Sequence, residues 1–413
     1  MASIFPFRAY RYSKSAGRLD DLVTQPYDKI SPQMQARYLS LSPHNLVRII
    51  LGERFPADTG TDNVYTRAGK SLEEWIASGI LAREPEPALF AYFQRFRVPD
   101  TGETLLRKGF IGLGAVEDYA AGVVHRHEHT LAGPKKDRLE LLRHTRAHFG
   151  QIFMLYPDPR REIDSLLDEA AQAPAAAVVT DEYGVEHTVW TITDPARVEA
   201  IRAAMAPRKL VIADGHHRYE TALAFRDEHP ELKDARRVMM TFVNMHSPGL
   251  KILATHRLVH GVDAAGFLAS ASATFRVEEC GDLDALRSVW SRPDPARVRI
   301  GVAMEGDHRI HLLVHERTDD ELDVEFLHRK VLGDILGIGE EAVRGEKNLR
   351  YARGADTAVE EVRHGQARIA FLLEPTSVEG VARIAFSGGV MPQKSTDFYP
   401  KLLSGLTIYR LDK

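Results

Sequence analysis

The sequence predicts an α+β protein built on a mixed sheet with a further α+β region at its C-terminal end. Three observations carry that expectation. Apolar runs of strand length sit beside segments with helical spacing, without the strict alternation that βαβ units require. At 413 residues and 46.2 kDa the chain has room for two or three domains. Hydrophobic residues make up 44% and charged residues 27%, enough for a core without staples. The single cysteine, Cys280, rules out an internal disulfide framework and suits a reducing compartment.

Taken in order, Gln25-Pro-Tyr-Asp28 is turn chemistry, since Pro26 fixes its own φ and pushes Gln25 out of the helical region. Residues 45–51, Asn-Leu-Val-Arg-Ile-Ile-Leu, form an apolar run of strand type. Residues 63–78 place Val64, Ala68, Leu72 and Trp75 on one helical face. Strands are expected at 89–98 and 108–117, the second with Gly109, Gly112 and Gly114 permitting close backbone approach. A helix is expected between Pro134 and Gly150, with Leu139, Leu142 and Ala147 on a shared face. A buried strand follows at 151–156, and the alanine-rich 170–177 reads as a helix end running into a strand at 177–180. Strand 209–213, a turn at Asp214-Gly215, helix 216–227 and strand 238–243 complete a region assigned to 1–262. The C-terminal α+β domain, 263–413, has a hairpin at 298–304 and 309–315, a helix at 322–336, a strand at 367–373, a helix at 376–386 and a last strand at 406–411. Trp75, Trp190 and Trp290 read as core.

Net charge is −4 and the isoelectric point about 6.5, a balance that does not suggest a grip on nucleic acid. No apolar run approaches the length of a membrane span, and the start lacks the layout of a secretion signal. The expectation is a cytoplasmic protein.

The chemistry concentrates at Val211-Ile-Ala-Asp-Gly-His-His-Arg-Tyr-Glu-Thr-Ala222. An apolar strand, a glycine turn and a helix present unpaired backbone N–H groups and the positive end of the helix dipole to an anion. Gly215 lets a phosphate approach the backbone, and Arg218 offers a planar donor fork. His216 and His217 can donate protons or hydrogen bonds near neutral pH. Asp214 can cap the helix or orient a metal or hydroxyl.

His125-Arg-His-Glu-His-Thr130 gives a second cluster. Glu128 is a candidate general base, with His127 or Thr130 contacting substrate or phosphate. The alternate histidines 125, 127 and 129 are a lesser candidate for a transition metal. Lys135, Lys136 and Arg138 lie where a helix begins and favour an anionic ligand. Lys394, Ser395, Thr396 and Lys401, in the polar stretch 391–401, could hold phosphate or carboxylate, although no Walker loop is present. If the C-terminal segment folds back it could close the site around Asp214, and Tyr27 and Asp28 could do so from the other end.

The segment Ile212–Ala222 resembles the phosphate-binding motif of the ParB/sulfiredoxin-like fold, a superfamily that includes archaeal free serine kinases. His216 stands where a sulfiredoxin would have its catalytic cysteine, which sets that chemistry aside. A wider set occurs in order along the chain: Pro26-Tyr-Asp28, His127-Glu-His-Thr130, Gly133-Pro-Lys-Lys-Asp-Arg138, Ala213-Asp-Gly-His-His-Arg-Tyr219, Gly249-Leu250, Thr255-His-Arg257 and Met391-Pro-Gln-Lys-Ser-Thr396. Together they look like family 1015 of the domains of unknown function. The resemblance implies a nucleotide-binding core holding ATP, ADP or CTP with Mg²⁺, and a small hydroxyl substrate with free serine as the leading guess. In that reading Gly215, His216, His217, Arg218, Thr130, Lys135, Arg138, Lys394, Ser395 and Thr396 hold the nucleotide. Glu128, His216 and Asp214 are catalytic, and Tyr27, Asp28 and His127 meet the substrate. Asp214 or Asp28 ligates the metal. The alternative is a nucleotide-gated binding protein of ParB type, without small-molecule turnover.

Overall fold

Strand Thr104–Ala115 is the spine of the first sheet, because it is long enough to serve different partners along its length. It runs antiparallel to Arg237–Asn244 through residues 109–115, to Leu89–Arg97 through residues 104–111, and to Ile4–Phe5 at Leu113 and Gly114. Its glycines allow this crowding. A Cβ on Gly109 would lie 2.6 Å from the Phe242 carbonyl, one on Gly112 2.8 Å from Leu89, and one on Gly114 would strike Met240. From Arg237–Asn244 the sheet continues outward through Ile152–Tyr156, Leu210–Asp214 and Val124–His125; from Leu89–Arg97 it continues through Glu186–Ile192 and Ala177–Thr180. The pairs 237–244 with 152–156 and 210–214 with 124–125 are parallel and the rest antiparallel, so the sheet is mixed. The computed structural model describes residues 1–99, 101–128, 132–318, 321–392 and 394–411.

The chain divides into two compact units, 1–251 with 400–413, and 252–399. In the first, Phe110, Met154, Ile212, Met240 and Phe242 pack on one sheet face with Ile163, Leu167, Ile201 and Tyr219 from helices Glu162–Ala170, Pro195–Met205 and His216–Glu228. A second cluster gathers Leu46, Ile49, Leu72, Trp75, Leu141, Phe149 and Ile408. The second unit is a six-stranded antiparallel sheet with separate cores on its two faces: Val259, Ile300, Leu313 and Phe371 on one, Leu258, Leu312, Ala370 and Leu372 on the other. The fold is therefore α+β. Among the described residues no helix is long and apolar enough to cross a membrane.

Helix Val64–Ala77 buries Val64, Ala68, Leu72 and Trp75 as its spacing predicts, and Asn63 closes a capping box with Thr66. Strand-type residues 45–51 instead contain the short helix Val47–Ile50, started by the Asn45 side chain accepting the Val47 N–H at 2.9 Å. The helix expected to run to Gly150 is Ala132–Thr145; it stops at Arg146, whose φ is +46°, and Ala147–His148 pairs with Tyr409–Arg410. The stretch 322–336 is helical but widens into a π-type coil at Leu327–Ile335. Trp75 is buried, whereas Trp190 and Trp290 are half-buried at core edges.

Candidate functional site

Strand Leu210–Asp214 ends in Gly215 at φ +94°, and helix His216–Glu228 begins immediately after it with no side chain capping its first turn. The left-handed turn brings the side chain of Arg218 back under the glycine, where a Cβ would meet the guanidinium at 3.0–3.1 Å. Gly215→Ala is thus expected to cost about 1–2 kcal/mol through backbone strain alone and to displace Arg218. Chemical denaturation with parallel pyrophosphate titration checks both effects.

Asp214 is the hub. Its Oδ2 accepts from Arg218 at 2.7 Å, and its Oδ1 faces Lys401 Nζ at 3.4 Å. Arg218 also donates to the Gln151 carbonyl. Burial pushes the Asp214 carboxyl up, but Lys401, Arg218 and Lys29 outweigh it and hold it well below the usual carboxylate range. Its side chain keeps 22% of its surface exposed, so a ligand can reach it.

Lys401 arrives there because residues 400–411 fold back onto the first unit. Buried Arg107 donates to the Pro400 carbonyl at 2.5 Å and to Gln94 Oε1 at 2.9 Å, and Gln94 Nε2 donates to the Lys401 carbonyl at 2.9 Å. The Leu403 N–H donates to Tyr92 Oη at 3.4 Å, and Tyr92 Oη lies 2.7 Å from His187 Nδ1. His187 Nε2 in turn faces Asp181 at 3.2 Å. Burial pushes Arg107 down to about 9, which leaves it charged at neutral pH.

On the other side of the motif His127 and His216 meet edge to face, ring centres 4.7 Å apart. His127 Nδ1 donates to the Ile212 carbonyl at 2.7 Å, and its backbone N–H donates to His216 Nε2 at 3.5 Å. Burial pushes His127 down to about 4 and His216 well below its ordinary range. Both are neutral struts at pH 7, and the Nε2 of His216 is already engaged. His148, also buried, is pushed down to about 4. Because these histidines stay neutral when folded while the unfolded chain takes up protons below about pH 6.5, stability is full above that pH. It is expected to fall as pH drops below about 6.5 and to go on falling through about pH 4. Denaturation midpoints across that range test it, and His148→Gln should flatten the slope.

Tyr27 lies beneath the Arg138 guanidinium, 4.1 Å from its carbon to the ring centre, and both line a cavity of about 60 Å³ with Arg218. Burial and Asp28 push the Tyr27 phenol up to about 12. Arg138 donates to the Ile50 carbonyl at 2.7 Å and pairs with Asp137. Asp28 is exposed and Glu128 half-buried. Lys135 faces Glu220 at 3.6 Å, as does Arg126 at 3.5 Å, and Lys136 is exposed. Thr130 and His129 lie outside the described residues.

The first unit thus brings together Tyr27, His127, Arg138, Asp214, Gly215, His216, His217 and Arg218, and adds Lys401, Lys29, Arg107 and Gln94. Lys394, Ser395 and Thr396 belong to the second unit. There the Ser395 hydroxyl donates to the Pro392 carbonyl at 2.6 Å, and Arg257 donates to the Lys394 carbonyl at 3.2 Å. The sequence does carry a signal for two of the three residues it did not single out, Lys29 being the third. Gln94 and Arg107 are polar at positions that alternate into an apolar sheet face beside Tyr92 and Gly109.

Both oxygens of Asp214 face cations, and among the described residues no three His, Cys, Asp or Glu side chains converge as a metal centre. This donor set does not fit a resident Mg²⁺ at Asp214. It fits an anion: the helix start and the Arg218 and Lys401 side chains all present positive charge to one place.

The chain belongs to the family described as "Protein of unknown function (DUF1015)", whose pattern matches residues 4–330. No curated protein matches it. Among solved structures it is similar to a conserved hypothetical protein from Pyrococcus furiosus, at 13% identity and a TM-score of 0.35 over 67% of this chain and 87% of that one. It is also similar to a free serine kinase in complex with AMP, at 13% identity and a TM-score of 0.37 over 69% and 89%. A third is SbnI with a C-terminal truncation from Staphylococcus aureus, at 12% identity and a TM-score of 0.35 over 72% and 87%.

Proposed function

We propose that this member of the DUF1015 family is a nucleotide-dependent phosphotransferase acting on a small hydroxyl compound, with the turn at Asp214–Arg218 as the phosphate cradle of a ParB/sulfiredoxin-like core. The observation that carries the reading is the convergence of Arg218 and Lys401 on Asp214 at an uncapped helix start behind Gly215. Phosphoryl transfer asks for charge neutralisation and alignment more than for covalent chemistry. Asp214 aims the two cations, and the backbone N–H groups of the first helical turn donate to the phosphate oxygens. The neighbouring cavity has room of about 60 Å³, enough for a few waters. In this reading the nucleotide lies over the open helix start, with its phosphates toward Lys401. Buried Gln151, whose amide atoms have no hydrogen-bond partner among the described residues, sits next to the carbonyl that Arg218 grips. Glu128 is the proposed base for the acceptor hydroxyl. His127 anchors its own segment to the strand 210–214 and to His216.

The test is incubation of the pure protein with ATP or CTP, with Mg²⁺ supplied as part of the nucleotide complex, and a panel of small alcohols and hydroxy acids including serine. Phosphorus NMR follows the products. A phosphorylated small molecule that depends on both reactants is the expected result. Nucleotide that binds and is only slowly hydrolysed, whatever acceptor is present, would instead make the protein a nucleotide-gated switch.

A further inference from the structure

Asp181 opens the hairpin turn between strands Ala177–Thr180 and Glu186–Ile192, and it makes more bonds than a turn requires. Its Oδ1 accepts the backbone N–H groups of Tyr183 and Val185, both at 2.9 Å, which closes the turn. Its Oδ2 takes no part in the turn. It accepts from Gln25 Nε2 at 3.0 Å and lies 3.2 Å from His187 Nε2. The Asp181 side chain is only 3% exposed, and that of His187 is wholly enclosed. Burial pushes the Asp181 carboxyl up, but His187 and the two turn N–H groups outweigh it and hold it below its ordinary range, so it is a carboxylate at neutral pH. Burial pushes His187 down, and Asp181 opposes that only in part, so the ring is neutral.

A carboxylate can only accept, so the single ring proton of His187 sits on Nε2. Nδ1 is then bare. It accepts from the Tyr92 hydroxyl at 2.7 Å and faces Gln94 Nε2 at 3.3 Å. With its proton committed to His187, Tyr92 has only its oxygen to offer, and that oxygen accepts the Leu403 N–H at 3.4 Å. Gln94 Nε2 also donates to the Lys401 carbonyl at 2.9 Å. The direction of every bond in this chain is thus set from Asp181. We infer that Asp181 is a positioning residue for Lys401: by fixing the His187 tautomer it fixes the backbone at residues 401 and 403, and so the place from which the Lys401 ammonium meets Asp214 at 3.4 Å. Placement of the lysine stands on this geometry alone; its effect on phosphate binding rests on the cradle reading. Asparagine at 181 would keep its oxygen on the turn N–H groups and turn an NH₂ toward two donors, Gln25 and His187. His187 would then carry its proton on Nδ1, and Tyr92 and Gln94 would lose their shared acceptor.

Asp181→Asn and Tyr92→Phe interrupt the chain at two points with almost no change of shape. Wild type, both single variants and the double variant are titrated with pyrophosphate by calorimetry, and each is repeated on a Lys401→Met background. Each single variant is expected to weaken binding about three- to tenfold. The double should lose no more than the more affected single, and neither change should matter once the lysine is gone. Wild-type affinity in both variants overturns the inference. So does an equal loss on the Lys401→Met background, since a general loosening of the first unit would produce that. A second readout needs no phosphate. Lys401 is 9% exposed, and its acylation by an amine-reactive ester, mapped by mass spectrometry, should quicken in both variants relative to Lys108, a lysine of the same unit paired with Asp168. An unchanged ratio overturns the placement. A raised ratio in a protein whose wild type binds no pyrophosphate upholds the placement and ends the cradle reading, so the two failures stay distinct. Should Asp181→Asn fail to fold, Tyr92→Phe, which leaves the turn intact, carries both readouts alone.

Discussion

Lys401→Met is expected to weaken pyrophosphate and nucleotide binding by about ten- to a hundredfold while leaving the protein folded. Methionine keeps the apolar stem and removes the charge. A charge-assisted hydrogen bond to a ligand is worth about 1.5–3 kcal/mol, which is that range of affinity. The variant also strips one of the two directly facing cations from Asp214. The depressed Asp214 carboxyl contributes stability that is present above the pKa of an unfolded aspartate and lost as pH falls through the folded value. With Lys401 gone that loss must begin at a higher pH. Isothermal titration at pH 7.5 and acid denaturation of both proteins check the two halves of the prediction. Wild-type affinity in the variant would remove Lys401 from the cradle and leave only Arg218 and the helix start.

Deletion of residues 400–413 has the larger effect on stability. Leu402, Leu403, Leu406, Ile408 and Leu411 are all buried, and each is worth about 2 kcal/mol. The deletion also leaves Gln94, Arg107 and the edge of Ala147–His148 without the partners that the segment provides. The combined loss, on the order of 10 kcal/mol, matches the whole stability of an ordinary domain at about 5–15 kcal/mol. The first unit should fail to fold cooperatively, seen as loss of its unfolding transition by calorimetry. A truncated chain that still melts as two units would show that the segment is an accessory.

The elements set by local chemistry could be read from sequence. Helix Val64–Ala77 announces itself through Asn63 and four apolar residues on one face. The strand–Gly215–helix turn does so through an apolar run followed by residues that no core would choose. Elements set by distant partners could not. Ala147–His148 is a strand because Tyr409–Arg410 pairs with it, and no local pattern holds that information. Residues 45–51 are apolar enough for either state, and a single side chain, Asn45, tips them into a helix. At the site, Arg218 and Asp214 are four residues apart and visible together. Lys401 was recognisable only as a charge in a polar stretch. Its placement depends on Gln94 and Arg107, hundreds of residues earlier, whose burial follows from strand register. Lys394–Thr396, so close to it in sequence, fall in the other unit.

The interruption of the first unit by the second has a consequence for biosynthesis. Residues 252–399 must be translated before the segment that completes the first unit exists. At about 5–20 residues per second the ribosome spends roughly seven to thirty seconds on them. Throughout that interval the sheet face that residues 400–411 cover is open, with Gln94, Arg107 and Tyr92 unlatched, and the cradle lacks its lysine. The first unit can complete its core only once that segment has been made, so its folding must wait for the translation of the second.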